Sequence, residues 1–192
     1  MVFRVSRIAA PVPWTRSTQR LVSVATLTYR WVDAVRGTGA AIRDTRKTTP
    51  GLRALEKYAV RCGGGVNHRM ALGDAALVKD NHVAAAGGIA AAVEAVRGTA
   101  PGVPLEVECD TLDQVREAVA AGVELVLLDN FPLADTVAAV DLVRGSGVRL
   151  EASGGLSLDR AAEVAATGVD FLAVGALTHS APVLDLGFDL RG

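Results

Sequence analysis

Short runs of branched aliphatic residues alternate along this 192-residue chain with alanine-rich segments whose apolar residues recur at helical spacing. The pattern predicts strands at 41–44, 75–78, 105–108, 125–129, 148–151 and 171–174, and a last strand at 184–190. It predicts helices at 52–61, 89–97, 112–121, 133–143 and 158–166. Strand followed by helix, repeated without an obvious reversal, is typical of parallel β/α units joined by right-handed crossovers.

We therefore expect an α/β fold, an incomplete TIM-like (β/α) barrel of about six or seven parallel strands with outer helices. A complete eightfold barrel usually takes about 250 residues, so this one is either short or cut. No G-x-G-x-x-G motif follows a predicted strand, which disfavours an open sheet that binds a dinucleotide. The three glycines at 63–65 follow a predicted helix and are expected to form a flexible turn or a helix C-cap.

The first residues differ from the rest of the chain. Residues 1–21 contain four arginines and no acidic residue, and Pro11 and Pro13 interrupt any regular period. We predict an irregular basic segment at 1–21, either a tail or a remnant, followed by a barrel domain at 22–192. A basic opening without acidic residues is also compatible with an organelle-targeting peptide.

Composition excludes several classes of protein. Lys and Arg (20) nearly balance Asp and Glu (21), so the net basic charge of a nucleic-acid-binding domain is missing. No apolar run reaches the roughly 18 residues that span a bilayer. Cys62 and Cys109 lack metal-ligand spacing and are typical of a reducing compartment. We expect a cytoplasmic protein with neither nucleic-acid nor membrane partners.

Each predicted strand ends in polar or glycine-rich residues, and in a β/α barrel these ends meet at one mouth. The candidates are the cationic group Arg46, Lys47, His68, Arg69 and Lys79, the carboxylates Glu108 and Asp129, and the segments Ser153–Gly154–Gly155 and Gly175–Ala176–Leu177 with His179. So many cations at one mouth would repel each other unless an anion normally binds there. Ordinary surface ion pairs, for instance to Glu56 or Asp74, are the alternative.

The two carboxylates admit more than one interpretation. Glu108 and Asp129 beside an anionic ligand indicate Mg²⁺, which binds a few protein oxygens and substrate phosphates. They could instead neutralise Lys47 and Lys79 directly. A glycosidase-like acid/base pair is formally possible, but the adjacent cations disfavour a neutral sugar.

The last two strand ends indicate a phosphate site. Ser153–Gly154–Gly155 precedes a predicted helix, so its backbone N–H groups would face the mouth. The Gly175 segment ends the final strand, where barrels often complete a phosphate site. Residues and spacing thus predict a barrel that binds a phosphorylated ligand beside a cationic pocket for carboxylates.

The chain also resembles a known family through motifs that occur in order. They are DTRKTTPGLR at 44–53, GGGVNHR at 63–69, KDNH at 79–82, EVE at 106–108, LDN at 128–130, EASGG at 151–155 and VGALTHS at 174–180. With these motifs, the chain from about Val22 onward resembles quinolinate phosphoribosyltransferases.

The resemblance implies an activity in NAD biosynthesis. Quinolinate and phosphoribosyl pyrophosphate would give nicotinate mononucleotide, pyrophosphate and CO₂, with Mg²⁺ contacted by Glu108 and Asp129, directly or indirectly. Lys47, Lys79, Glu108 and Asp129 would be catalytic. The implied substrate-binding residues are Thr45, Arg46, Lys47, His68, Arg69, Lys79, Glu108 and Asp129, and the implied phosphate-binding residues are Ser153, Gly154, Gly155, Gly175, Ala176, Leu177 and His179.

The chain also departs from the family pattern. The resemblance implies an N-terminal domain, which we expect to be absent here, together with an arginine that reaches the active site, typically of a partner subunit. Arg16 does not reproduce that arginine. The resemblance implies a homodimer or higher homo-oligomer. The alternatives are an inactive truncated barrel, or a superfamily relative that binds another phosphorylated or carboxylated ligand.

Overall fold

The computed structural model describes the backbone of residues 13–186 and the side chains of residues 17–186. The helices are α1 (Pro13–Ala34), α2 (Arg53–Cys62), α3 (Asp80–Ala86), α4 (Ile89–Thr99), α5 (Leu112–Ala120), α6 (Leu133–Val143), α7 (Ala161–Ala165) and α8 (Ala176–His179). The strands are β1 (Ala41–Arg43), β2 (Ala76–Val78), β3 (Leu105–Cys109), β4 (Leu125–Asp129), β5 (Arg149–Ser153) and β6 (Phe171–Ala173). None of these helices is both long enough and apolar enough to cross a membrane.

All six strands are parallel, and their order in the sheet is β1-β6-β5-β4-β3-β2. Strands that are consecutive in sequence are neighbours from β2 to β6, and β1 lies beside β6. This is the order of a barrel that is open between β1 and β2. Val66 forms an isolated parallel bridge with Arg43 at the free edge of β1. The predicted α/β barrel is confirmed, with a sheet that does not close.

The side chains along each strand point alternately towards the helices and towards the cavity. Val107, Val126 and Leu150 are in register on neighbouring strands and are each at most 1 % exposed in the hydrophobic core. The next register row, Glu108 and Leu127 with Glu151, lines a cavity instead. Side chains alternate across a strand, so the sequence that builds the core also places carboxylates inside the barrel.

The prediction of an irregular segment at 1–21 is wrong for residues 13–21, which belong to α1; residues 1–12 lie outside the described part. Pro13 is tolerated because the first turn of a helix needs no N–H donor there. The hydroxyls of Ser23 and Thr28 obscure the apolar period, but each donates to the carbonyl four residues earlier, at 2.8 Å. Both side chains are buried with Val24 on the same helix.

The glycines after α2 are explained by their approach to α1. A Cβ on Gly63 would lie 2.5 Å from the Ala25 carbonyl oxygen, and one on Gly65 would lie 2.8 Å from a Thr28 methyl group. Gly63 is the C-cap of α2, as predicted. The turn is glycine-rich because α1 packs directly against it.

The predicted strand at 184–190 is not formed over residues 184–186, and the rest of it lies outside the described residues. The backbone of Leu184 is bound to side chains of α1. Its N–H donates to Ser23 Oγ at 3.1 Å, and its carbonyl accepts from Gln19 Nε2 at 2.6 Å. These bonds hold the segment against α1 instead of in the sheet.

Candidate active site

A cavity of about 460 Å³ opens at the carboxyl ends of the strands. It brings together every residue predicted to bind substrate: Thr45, Arg46, Lys47, His68, Arg69, Lys79, Glu108 and Asp129, with Ser153 from the predicted phosphate site. Its other lining residues are Leu77, Leu127, Glu151 and Ala173. The carboxyl ends of parallel strands meet at one face, which explains this convergence.

Two arginines form a cationic wall of the cavity. Arg46 Nε and Arg69 Nε are buried and have no hydrogen-bond partner in the part of the chain that the structure describes. Burial lowers the pKa of Arg69, and the nearby charge of Arg46 lowers it further. Adjacent guanidinium groups that are partly buried and incompletely bonded have the chemistry of an anion site.

Surface ion pairing does not account for these arginines. Glu56 binds Arg20 at 2.9 Å, on the opposite side of the loop after β1. Asp74 accepts the backbone N–H groups of Met70 and Ala71 at 2.8 and 3.0 Å. Both acidic side chains that sequence reasoning offered as partners are therefore engaged elsewhere.

Lys79 and Glu108 form an ion pair across the mouth. Lys79 Nζ lies 2.5 Å from Glu108 Oε2, and the lysine side chain is about half exposed, at 46 %. Direct neutralisation of a lysine was one of the open alternatives, and the structure bears it out for this pair. Asp129 Oδ2 instead accepts from Asn130 Nδ2 at 3.0 Å.

His68 is a hydrogen-bond donor to a carboxylate and does not add to the cationic wall. Its Nδ1 accepts the backbone N–H of Arg69 at 2.8 Å, so that nitrogen carries no proton. Its Nε2 lies 2.9 Å from Glu106 Oε2 and 3.7 Å from Glu151 Oε1. This arrangement fits a neutral ring with its proton on Nε2.

Two buried carboxylates lie next to His68, and one of them, Glu151, lines the cavity. Glu151 accepts from Arg43 Nη1 at 2.6 Å, and both Glu151 and Glu106 retain an unbonded oxygen within the described residues. Burial raises the pKa of Glu151 to about 7, and the neighbouring Glu106 contributes. Ligand atoms of the two carboxylates and His68 lie within 4.8 Å of one another. The protonated Nε2 of His68 has no lone pair for a metal, so the group is not arranged as a metal site.

The loop that carries His68 and Arg69 is fixed from below by Asp44. This buried carboxylate accepts from Lys57 Nζ, from Asn67 Nδ2 at 2.5 Å and from the His68 N–H at 2.8 Å. Lys57 Nζ also donates to the His68 carbonyl at 2.9 Å. Burial lowers the pKa of Lys57, and Asp44 acts in the opposite direction.

The predicted phosphate segment 153–155 is shaped by Asn130. Gly154 has a φ of +85°, and a Cβ at this position would overlap the Asn130 amide group. The Asn130 N–H donates to the Ser153 carbonyl at 2.9 Å. Ser153, Gly154 and Gly155 also line a small recess of about 60 Å³ behind the mouth. Asn130 thus links Asp129 to the glycine loop.

The other predicted phosphate residues lie around the start of α8 and do not line the cavity. A Cβ on Gly175 would lie 3.0 Å from His179 Nε2 and 3.5 Å from Thr45 Oγ1, which places this glycine beside the first loop. Ala176 is partly buried. Leu177 is fully buried in the core, and its N–H donates to the Val174 carbonyl at 3.4 Å.

Sequence reasoning missed Arg43, Lys57, Asn67, Glu106 and Glu151 as parts of the site. The alternation of β3 supplies a signal for one of them, because residues two apart on a strand face the same side. Glu106 therefore faces the interior with Glu108. Cys109 faces the core, and burial raises the pKa of its thiol to about 12, consistent with a structural role.

The fold and the cavity define a TIM-like α/β-barrel protein with a cavity lined by arginine and lysine side chains at the carboxyl ends of its strands. The family model described as "Quinolinate phosphoribosyl transferase, C-terminal domain" matches residues 24–189. This match covers most of the chain, which therefore belongs to the quinolinate phosphoribosyl transferase family.

Named relatives agree with this membership. The chain is 63 % identical over 169 residues to nicotinate-nucleotide pyrophosphorylase [carboxylating] of Mycobacterium leprae, covering 87 % of this chain and 60 % of the relative. It is 46 % identical over 173 residues to a probable nicotinate-nucleotide pyrophosphorylase [carboxylating] of Bacillus subtilis, covering 90 % and 60 %. The crystal structure of nicotinate-nucleotide pyrophosphorylase from Ehrlichia chaffeensis matches with a TM-score of 0.86 at 40 % identity, covering 90 % of this chain and 63 % of that one. The chain thus spans about 60 % of the length of the curated relatives it matches.

Proposed function

We propose that this chain carries the catalytic site of a carboxylating nicotinate-nucleotide pyrophosphorylase. It would transfer the phosphoribosyl group of phosphoribosyl pyrophosphate to quinolinate, with loss of CO₂, in NAD biosynthesis. The observation that supports this most directly is the cavity itself. It combines the incompletely bonded guanidinium groups of Arg46 and Arg69 with Lys47, the carboxylates Glu108 and Asp129, and Ser153 at the start of the glycine loop.

The cationic wall would bind quinolinate. Arg46 and Arg69 can each bind a carboxylate through two N–H groups, and Lys79 can add a point charge. His68 would line this subsite and orient Arg69, whose backbone N–H it accepts. Two carboxylates on adjacent ring carbons match guanidinium groups that approach from one side of a cavity.

The carboxylates and the glycine loop would bind the ribosyl donor. Glu108 and Asp129 would contact the ribose hydroxyls, and the segment 153–155 with the Gly175 segment and His179 would hold the 5′-phosphate. In the reaction, the bond from C1′ to the pyrophosphate oxygen breaks, and its electron pair leaves with pyrophosphate. The pyridine nitrogen then bonds to C1′. Lys47 would stabilise the departing charge while the two carboxylates favour the ribosyl cation.

Mg²⁺ fits the donor set on the pyrophosphate side. The protein hydrogen bonds of Glu108 and Asp129 each use one carboxylate oxygen, so a second oxygen can serve a cation together with substrate phosphates. When bound, Mg²⁺ would supply positive charge to the leaving pyrophosphate.

The positive charge of the alkylated pyridine ring accounts for the decarboxylation step. Once its nitrogen is alkylated, the ring is cationic, and the bond from C2 to its carboxylate breaks with CO₂ leaving. The electron pair stays on C2 beside the positive nitrogen, and a proton then adds to C2. No protein nucleophile is needed, consistent with the structural role of Cys109.

We propose further that the protein is cytoplasmic and acts as a homodimer. Cys62 and Cys109 are both unpaired, which fits a reducing compartment. Light scattering coupled to gel filtration would test the dimer, and a monomeric mass would contradict it.

Formation of nicotinate mononucleotide by the purified chain tests the function. We expect turnover that requires Mg²⁺ and both substrates, and that falls at least to about one hundredth in the Lys79→Ala variant, the scale for removing a group that stabilises reacting charge. Turnover no greater than that of Lys79→Ala would support an inactive barrel. Calorimetric titration with quinolinate separates that outcome from a relative that binds another ligand, which predicts no affinity.

A further inference from the structure

The loop after β1, residues 45–49, is held by Glu56 and Thr178, and both of these residues are bound by one arginine of α1. This substrate loop carries Arg46 and Lys47. At one point, Glu56 accepts the N–H of Thr49 at 2.9 Å and its hydroxyl at 2.7 Å. At the other point, Thr178 Oγ1 donates to the Lys47 carbonyl at 2.7 Å.

Arg20 of α1 binds both of the residues that hold the loop. Its Nε lies 2.9 Å from Glu56 Oε1, and its Nη2 donates to the Thr178 carbonyl at 2.5 Å. Its Nη1 donates to the Ala181 carbonyl at 3.3 Å. Only a planar guanidinium can reach three such acceptors in fixed directions.

The burial of the Arg20–Glu56 ion pair favours a well-fixed geometry of these two side chains. The side chain of Glu56 is 0 % exposed and that of Arg20 is 20 % exposed, so this pair is shielded from solvent far more than a surface pair. Without Arg20, the buried Glu56 carboxylate would lose its cation, and the Thr178 carbonyl would lose a donor. Both losses would loosen groups whose other contacts fix the loop.

We propose that Arg20 is a positioning residue for the substrate loop, acting through Glu56 on Thr49 and through Thr178 on Lys47. The inference rests on the proposed function, because it assigns the loop to substrate binding. Within the described residues, the hydrogen bonds of Arg20 go to Glu56, Thr178 and Ala181, none of which lines the cavity. Through these bonds, α1 would help to fix the backbone of the loop that carries the Arg46 and Lys47 side chains.

The loop has an additional support that limits the expected effect. Arg53 Nη2 donates to the Arg46 carbonyl at 3.2 Å, and Arg53 Nε donates to Thr48 Oγ1 at 3.0 Å. Loss of Arg20 should therefore widen the distribution of loop positions without releasing the loop completely.

The test compares Arg20→Met with Arg30→Met, which alters an exposed arginine of the same helix. In Arg20→Met we expect the KM for quinolinate and its calorimetric dissociation constant to rise about fivefold to tenfold, the scale of one lost ordinary hydrogen bond. Amide hydrogen exchange in the peptide covering 45–49 should become faster. Arg30→Met should match the wild type in all three measurements.

Thr178 variants separate positioning from general stability. Thr178→Val removes the hydroxyl bond to Lys47 and should raise the same KM about twofold to threefold, while Thr178→Ser should restore it. The double variant Arg20→Met/Thr178→Val should change KM by less than the product of the single effects, because both act on one loop. A merely structural role would lower the melting temperature and leave the KM of the folded protein unchanged, which would overturn the proposal.

Failure of the proposed function has a different signature. If the wild-type chain neither binds nor converts quinolinate, the function is wrong. Exchange at 45–49 then still decides whether Arg20 orders the loop. Equal exchange in Arg20→Met and Arg30→Met overturns the inference whatever the activity, and faster exchange with unchanged quinolinate affinity overturns the link to substrate.

Discussion

Replacing Lys57 by Met should destabilise the protein through the charge that is left behind. The side chains of Lys57 and Asp44 are 1 % and 0 % exposed, so neither charge is screened by water. Methionine is similar in length, and the apolar packing of the lysine stem is largely kept. The main loss is therefore the cation that offsets the buried Asp44 carboxylate.

The size of the loss in unfolding free energy depends on the hydrogen-bond donors that Asp44 keeps. Removal of one partner of a buried ion pair costs about 3–5 kcal/mol. Asp44 retains the Asn67 amide and the His68 N–H as donors, so we expect a value near the lower end, about 3 kcal/mol. Urea unfolding followed by far-ultraviolet circular dichroism measures this free energy.

The control is an ion pair on the surface. Arg144 and Asp141 are also joined, at 2.6 Å, but their side chains are 76 % and 60 % exposed. Arg144→Met should cost at most about 1 kcal/mol. The double variant Lys57→Met/Asp44→Asn should be more stable than Lys57→Met, because it removes the uncompensated charge. Equal costs for Lys57→Met and Arg144→Met, or a less stable double variant, would refute the reasoning.

Three further predictions concern the cavity. Arg69→Ala should weaken quinolinate binding by about 2–5 kcal/mol in calorimetry, the range for truncating a desolvated charge pair, whereas Glu108→Gln should lower turnover and leave that affinity nearly intact; equal effects on affinity would contradict this division of the site. The pKa of Glu151 is raised in the folded protein from 4.5 to about 7, so its stabilising contribution is full below pH 4.5 and is lost as the pH rises through 7. Between pH 4.5 and 7, the unfolding free energy of the wild type should therefore decline by up to about 3 kcal/mol more than that of Glu151→Gln. Parallel pH profiles of the two proteins would argue against the raised pKa. Asn130→Ala should raise the KM for phosphoribosyl pyrophosphate about tenfold, because it removes the amide that packs on Gly154, while an unchanged KM would show that the glycine loop holds its shape alone.

The parts of the fold that the sequence predicts well are those whose burial follows a simple period. The strands β3 and β4 and the helix α6 were placed to within a residue, because their aliphatic runs are uninterrupted and turn residues bound them. The helix α1 was missed because Ser23 and Thr28 are buried in it and pair with its own carbonyls. Such pairing cannot be read from an apolar pattern.

The site shows the same division between local and tertiary information. The polar strand ends were found because barrel geometry alone brings them together. The bonds among His68, Glu106 and Glu151 depend on which residues of β3 and β5 stand at the level of the 66–69 loop. The register of the strands in the folded protein decides which residues lie there, and the spacing of residues along the sequence does not indicate that register.

The ion pairs of the mouth determine which cations are available to a ligand. Lys57 is bound to Asp44, Arg43 to Glu151 and Lys79 to Glu108. His68 is directed at Glu106, so the cavity offers a ligand the charges of Arg46, Lys47 and Arg69. A dicarboxylate matches two of these, and Lys47 remains for the pyrophosphate side. If a quinolinate carboxylate also binds one of the remaining N–H groups of Lys79, it would compete with Glu108 for that charge, and the Glu108 carboxylate would be more available to the ribosyl donor. Binding of the first substrate would in this way prepare the carboxylate that stabilises the ribosyl cation of the second.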